Sequence, residues 1–255
     1  MKGIFCHYKY AALSRLKKLF FLLHSQKALE RIIKHTSCTK PLVLLYHNIQ
    51  PGCADFSLSP EAFEKQILFL KKMKYEFIFE SEWEKSKKNR TVIISVDDGY
   101  INNYTYMFPL LKKYDVKASV NLRTDIFLSN DGSWLTIEQI KEMQDSGLVE
   151  FDAHTCNHPH LPQCTTEELY HEIVDCKEQI AEITSIMPNV FVYPYGRFDK
   201  RVLEIVRENY EICFSIWITD EDFEEQYCVK RKEVFEKDDE KKIAEYCCRA
   251  IWGEY

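Results

Sequence analysis

The chain has 255 residues, 45% of them hydrophobic, and a formal charge of −6. That length suits one sizeable α/β core. Ten cysteines without CxxC or zinc-ribbon spacing read as reduced thiols rather than a disulfide framework, and an acidic balance argues against a nucleic acid as partner.

In chain order, residues 1–40 come first, as a basic amphipathic N-terminal extension. They hold nine Lys/Arg against the single acid Glu30, which leaves 25 basic and 39 acidic residues from 41 onward. Leu13, Leu16, Phe20 and Leu23 recur at helical spacing among Arg15, Lys17 and Lys18. No apolar run approaches the roughly 18 residues that cross a bilayer, and "LFFLLH" is short for a signal-peptide core. Two readings stand for such a helix. It lies on an anionic membrane surface, or it packs outside the domain or against a second subunit. The absence of a recognisable export signal predicts a cytoplasmic chain, peripheral on the inner face of the membrane under the first reading.

Residues 41–255 read as one domain in which strands and helices alternate. Predicted strands are 41–46 ("PLVLLY"), 75–79, 91–96 ("TVIISV"), 117–122, 148–153, 189–193 and 210–218. Between them lie helical patterns: one opened by Ser59 and Pro60, one around Pro109, one from Thr136 to Gly147, one opened by the Thr165/Glu168 capping box, and "DKRVLEIVREN". This order predicts βαβ units with parallel pairing. About seven repeats predict an α/β fold closed into a barrel.

Unusual polar residues stand at the carboxyl ends of those strands. His47 follows the first, Asp97 and Asp98 follow 91–96, and His154 follows 148–153 with His158 four residues on. "YPYG" (193–196) follows 189–192. In parallel α/β folds these ends converge on one mouth. Two adjacent aspartates repel each other unless a cation, a proton or solvent offsets the charge. Two imidazoles and one carboxylate form a catalytic metal set with open positions for water, whose pKa falls toward neutrality at zinc. The same ligand types suit Fe(II). The second aspartate is then placed to act as general base.

Each piece also has an ordinary reading. Asp-Asp-Gly after a strand is a common turn, and HxxxH occurs on helix faces. His160 and His171 read as surface histidines, and Cys156 as packing beneath its loop. Tyr100, Trp134 and Trp217 are aromatic platforms for a sugar ring or simply core. The joint pattern is more specific than any member.

These residues resemble the polysaccharide deacetylase family, the NodB homology domain or carbohydrate esterase family four, over roughly residues 41–255. The resemblance implies a distorted, TIM-like (β/α) barrel and a hydrolase that removes N-acetyl groups from amino sugars through a metal-activated water. The family's TFDDG stands here as "SVDDG", implying Asp97 as catalytic base and Asp98 as metal ligand. H-[S/T]-x-x-H-P is intact over 154–159, implying His154 and His158 as the other ligands. R-x-P-Y-G stands as "VYPYG", with Val192 where the arginine would be and Tyr195 offering its backbone N–H to the oxyanion. The usual C-terminal Leu-x-His is missing, and "LLYHNI" supplies Leu45-Tyr46-His47 instead. That order resembles the permuted poly-N-acetylglucosamine deacetylases and implies His47 as general acid. Arg231 in "VKRKEV" is a candidate substitute for the lost arginine, against the alternative of a solvated basic face.

The implied cofactor is one divalent metal, Zn2+ foremost, with Co2+, Ni2+ or Fe2+ as alternatives. The implied partner is a glycan containing N-acetylhexosamine. Two rivals remain open: a catalytically weak glycan-binding protein that retains the fold, and a metal amidohydrolase acting on a non-sugar amide.

Overall fold

Burial explains which segments become strands. β1 (Leu42–Tyr46) and β5 (Thr91–Asp98) are buried along their whole length, as expected of Val, Ile and Leu runs covered on both faces of a parallel sheet. The computed structural model describes residues 17, 19–38, 40–52, 57–88, 90–129, 131–216 and 224–253. Leu13, Arg15, Leu16, Lys18 and Trp217 lie outside the described residues.

After the short parallel pair β2 (Asn48–Ile49) and β3 (Ser57–Leu58), β4 (Glu76–Ile78) pairs with the first half of β5. The order then runs through β6 (Ala118–Leu122), β7 (Val149–Ala153), β8 (Val190–Val192) and β9 (Ile212–Ser215), every pair parallel. β10 (Val229–Lys230) pairs with β9, and β11 (Lys232–Glu233) pairs with β1. Segment 229–234 therefore closes the ring: Arg231 N–H donates to Ser215 O at 2.8 Å and Val234 N–H to Leu45 O at 3.1 Å. The result is the nearly closed, distorted (β/α) barrel expected from the sequence. Two details differ. Among the described residues of the strand expected over 210–218, the paired part is Ile212–Ser215, with 217 and 218 outside the described residues, and the closing seam is one that no apolar run announces.

Helices cover the outside: α1 (Gln26–His35), α2 (Pro60–Lys72), α3 (Phe108–Tyr114), α4 (Ile137–Asp145), α5 (Thr166–Tyr170), α6 (Cys176–Thr184), α7 (Lys200–Asn209) and α8 (Glu240–Ile251). Ser59 caps α2 beside Pro60, and capping boxes form at Thr136/Gln139 and Thr165/Glu168. The continuous helix expected after Thr165 is interrupted by a π-helical turn at His171–Asp175, and a second π turn, Asn103–Met107, precedes α3.

α8 was not foreseen in the sequence. α1 packs against it. Leu29 and Ile33 enter the core with Ile243 and Cys247, Gln26 donates to Glu240 at 2.8 Å, and Lys72 pairs with Glu30 at 2.9 Å. Part of the basic extension thus joins the outer helical layer. Among the described residues no helix is long and apolar enough to cross a membrane.

Candidate metal centre

The carboxyl end of β5 explains how adjacent aspartates reach one site. Neighbouring side chains on a strand face opposite ways, so Ser95 and Asp97 share the barrel interior. Asp98 breaks that alternation with φ of 75°, which brings its carboxylate back to the mouth. Gly99 continues the bend at φ of 81°. The loop is pinned where Leu135 N–H donates to Gly99 O and Ile101 N–H to Ser133 O. Thr155, His158 and Tyr195 also have positive φ, at 71°, 56° and 56°. Such conformations are costly for side-chain-bearing residues and cluster where function fixes them.

Asp98, His154 and His158 each place one ligand atom within 4.8 Å of the others. Asp98 Oδ1 lies 4.0 Å from His154 Nε2 and 3.8 Å from His158 Nε2. His154 Nδ1 is 2.8 Å from the Val192 carbonyl, an acceptor only, so Nδ1 carries the proton and Nε2 offers its lone pair to the site. Burial disfavours the imidazolium and lowers the pKa of His154. Burial, with the charge of Arg123, takes His158 down to about 3. Both rings are therefore neutral, as metal ligation requires. Burial raises the Asp98 carboxyl, and among the described residues its Oδ1 has no hydrogen-bond partner. Three lone pairs converge where none can satisfy another, so the donor set fits a divalent cation.

The ligand loop is held by a residue the sequence reading missed. Glu172 accepts from the Cys156 and Asn157 backbone N–H groups at 2.9 and 2.8 Å and from Asn157 Nδ2 at 2.8 Å. It sits in the π turn, which offered no motif. Thr124 and Asp125 N–H groups donate to the Thr155 and Cys156 carbonyls. Cys156 is buried, its thiol 3.3 Å from His171 O, and so packs beneath the loop rather than joining the ligands.

Asp97 is 3% exposed and gripped by Arg231, itself 3% exposed. Arg231 Nη1 donates to Oδ1 at 2.6 Å and Nη2 to Oδ2 at 2.9 Å. The solvated basic face considered for Arg231 is overturned. Its position on the closing seam aims the side chain inward, onto Ser95 and Asp97. Burial alone would raise the Asp97 carboxyl, but the Arg231 charge and the Arg231 hydrogen bonds hold it well below the usual carboxylate range. It stays ionised.

One cavity of about 290 Å³ is lined by His47, Asp97, Asp98, His154, His158 and Tyr195, so every site residue singled out in the sequence borders the same space. Tyr195 is 45% exposed. Its ring stacks on His160 at 4.1 Å and meets His158 edge-on at 4.6 Å, and His160 is exposed, as expected of a surface histidine. Tyr100 also lines the cavity and stacks on Trp134 at 4.6 Å.

Residues 84–210 match the family model described as polysaccharide deacetylase. The chain is 28% identical over 178 residues to YxkH of Bacillus subtilis, covering 68% of this chain and 62% of YxkH. It is 20% identical over 225 residues to the poly-beta-1,6-N-acetyl-D-glucosamine N-deacetylase of Escherichia coli K12, covering 69% of this chain and 34% of that protein. It therefore spans less than two thirds of either relative. Among solved structures, the Streptococcus pyogenes deacetylase PplD in complex with acetate superposes with a TM-score of 0.75 at 25% identity, covering 83% of this chain and 99% of PplD.

Proposed function

Because the chain carries a polysaccharide deacetylase domain, we propose that it is a metal-dependent hydrolase that removes N-acetyl groups from an N-acetylated amino sugar in a polysaccharide or oligosaccharide. One observation carries the reading. Three convergent ligand atoms lie beside a carboxylate that a buried arginine keeps ionised.

A divalent cation held by Asp98, His154 and His158, zinc foremost, would polarise an acetyl carbonyl and lower the pKa of a water beside it. Asp97, anionic and buried, accepts that water's proton as it attacks. Tyr195 offers its backbone N–H to the oxygen that gains charge, a contribution typically about 2.7–4 kcal/mol. His47, on the same cavity wall, gives a proton to the departing nitrogen. Tyr100 and Trp134 supply an apolar flank for a sugar ring. The missing third-motif arginine once favoured a catalytically weak glycan-binding protein; the Arg231–Asp97 pair weighs against that reading.

The test is acetate release from β-1,6-linked N-acetylglucosamine oligomers by zinc-loaded protein, with a chelator control. Chelator-sensitive release is expected. Oligomer binding without release would favour the glycan-binding alternative.

We further propose peripheral contact of residues 1–40 with anionic lipid. Leu19, Leu22 and Leu23 stand 50%, 71% and 74% exposed in the basic segment. Sedimentation with anionic vesicles should fall when Leu22 and Leu23 become Asp, and unchanged binding would refute the contact.

A further inference from the structure

Resting on that reading, the interior beneath the site identifies one more participant. β6 pairs with β5 so that Asn121 stands directly opposite Asp97, and both point into the barrel. Asn121 is fully buried. Its Nδ2 donates to Asp97 Oδ1 at 3.0 Å and to Ser95 Oγ at 3.2 Å. The Ser95 hydroxyl also receives Arg231 Nη1 at 2.9 Å. The amide orientation follows from charge, since turning it over would set its oxygen against an ionised carboxylate.

The two oxygens of Asp97 are consequently unlike. Oδ1 takes donors from both Arg231 and Asn121, at 2.6 and 3.0 Å. Among the described residues Oδ2 takes Arg231 Nη2 alone, and it is the one 3.7 Å from His154 Nε2, on the ligand side.

We propose that Asn121 is a positioning residue for the reaction: with Arg231 it pins Oδ1, so that Oδ2 is the atom that receives the water's proton. Arg231 alone could rotate with the carboxylate as a unit. Asn121, fixed to the neighbouring strand, sets the plane of the pair against the metal ligands. The proton moves from water oxygen to Oδ2 while the water's electron pair forms the new bond to the acetyl carbon and the carbonyl π pair moves onto its oxygen as the oxyanion, and Asn121 neither gains nor loses a proton.

The experiment compares wild type, Asn121→Leu, Asp97→Asn and the double variant as zinc-loaded full chains. Leu fills a similar volume without the donor. Loss of one hydrogen bond to a charged group predicts kcat lower by about tenfold to a hundredfold, with KM and zinc content unchanged. In the Asp97→Asn background the same change should have no further effect on kcat, because the group it orients no longer takes the proton. A merely structural role would instead lower zinc content, or add its full penalty in both backgrounds. Either outcome, or undiminished kcat, overturns the proposal. If Asn121→Leu does not fold, Asn121→Ser carries the same expectation. Crystal structures of wild type and variant read the orientation directly. They separate this inference from the functional one: wild type that releases no acetate refutes the deacetylase reading, whereas an Asp97 carboxylate unmoved in the variant refutes the positioning role whatever the activity.

Discussion

Glu80 allows the burial argument to be tested by stability alone. It follows β4 inside the barrel, is fully buried, and among the described residues neither carboxyl oxygen has a hydrogen-bond partner, while its N–H donates to Ser119 Oγ at 2.9 Å. Burial pushes its carboxyl from 4.5 up to about 8, against the pull of the Arg231 charge. Below pH 4.5 folded and unfolded chains both hold the proton, and the contribution to stability is complete. Between 4.5 and 8 only the folded chain holds it, so unfolding releases a proton and stability falls as pH rises. The slope is about 1.4 kcal/mol per pH unit, a loss of about 3 kcal/mol by pH 7 and about 5 by pH 8. Glu80→Gln removes this titration at nearly constant shape. Urea unfolding of both proteins in chelator, from about pH 5 to 8.5, gives the difference directly. The variant should match the parent near pH 5 and gain steadily on it toward pH 8. Parallel curves would mean that Glu80 ionises in the folded protein, and the reasoning would fail.

Arg231→Leu should leave Asp97 buried without its cation, cost about 3–5 kcal/mol in chemical unfolding, and slow acetate release while zinc content holds. Full activity would remove Arg231 from the site. Glu172→Ala frees three donors of the ligand loop, and zinc affinity measured by competition titration should fall about 10–100-fold; unchanged affinity would show that the loop holds itself. Gly99→Ala puts a Cβ 2.7 Å from Leu122 Cδ2 at a φ of 81°. The expected cost in thermal melts is about 1–3 kcal/mol, and no change would contradict the tight approach. His158→Ala should remove bound zinc in elemental analysis, whereas Asp97→Asn should retain it; the reverse pattern would exchange their roles.

Much of the fold was legible because parallel strands buried on both faces must be apolar. "PLVLLY" and "TVIISV" announced themselves, and the capping boxes at Thr136 and Thr165 marked helix starts by local hydrogen bonding alone. The residues lining the mouth were legible too. A polar group at the carboxyl end of an apolar run is anomalous in sequence, and parallel pairing forces such ends together. What escaped carries no local signal. The 229–234 seam is short and lysine-rich, and becomes a strand only because β9 and β1 leave a gap of one strand's width between them.

The sequence by itself determined the alternating α/β plan and which side chains border the mouth, since both follow from periodicity and from the burial each segment requires. Only the tertiary structure decided which partners those side chains have. Arg231 reaches Asp97 from 134 positions away, Asn121 meets it across a sheet register, and Glu172 clamps the ligand loop from the next helix. Hydrogen bonds of a few ångströms between distant segments depend on how the ring closes, and closure is a property of the whole barrel that no local stretch encodes.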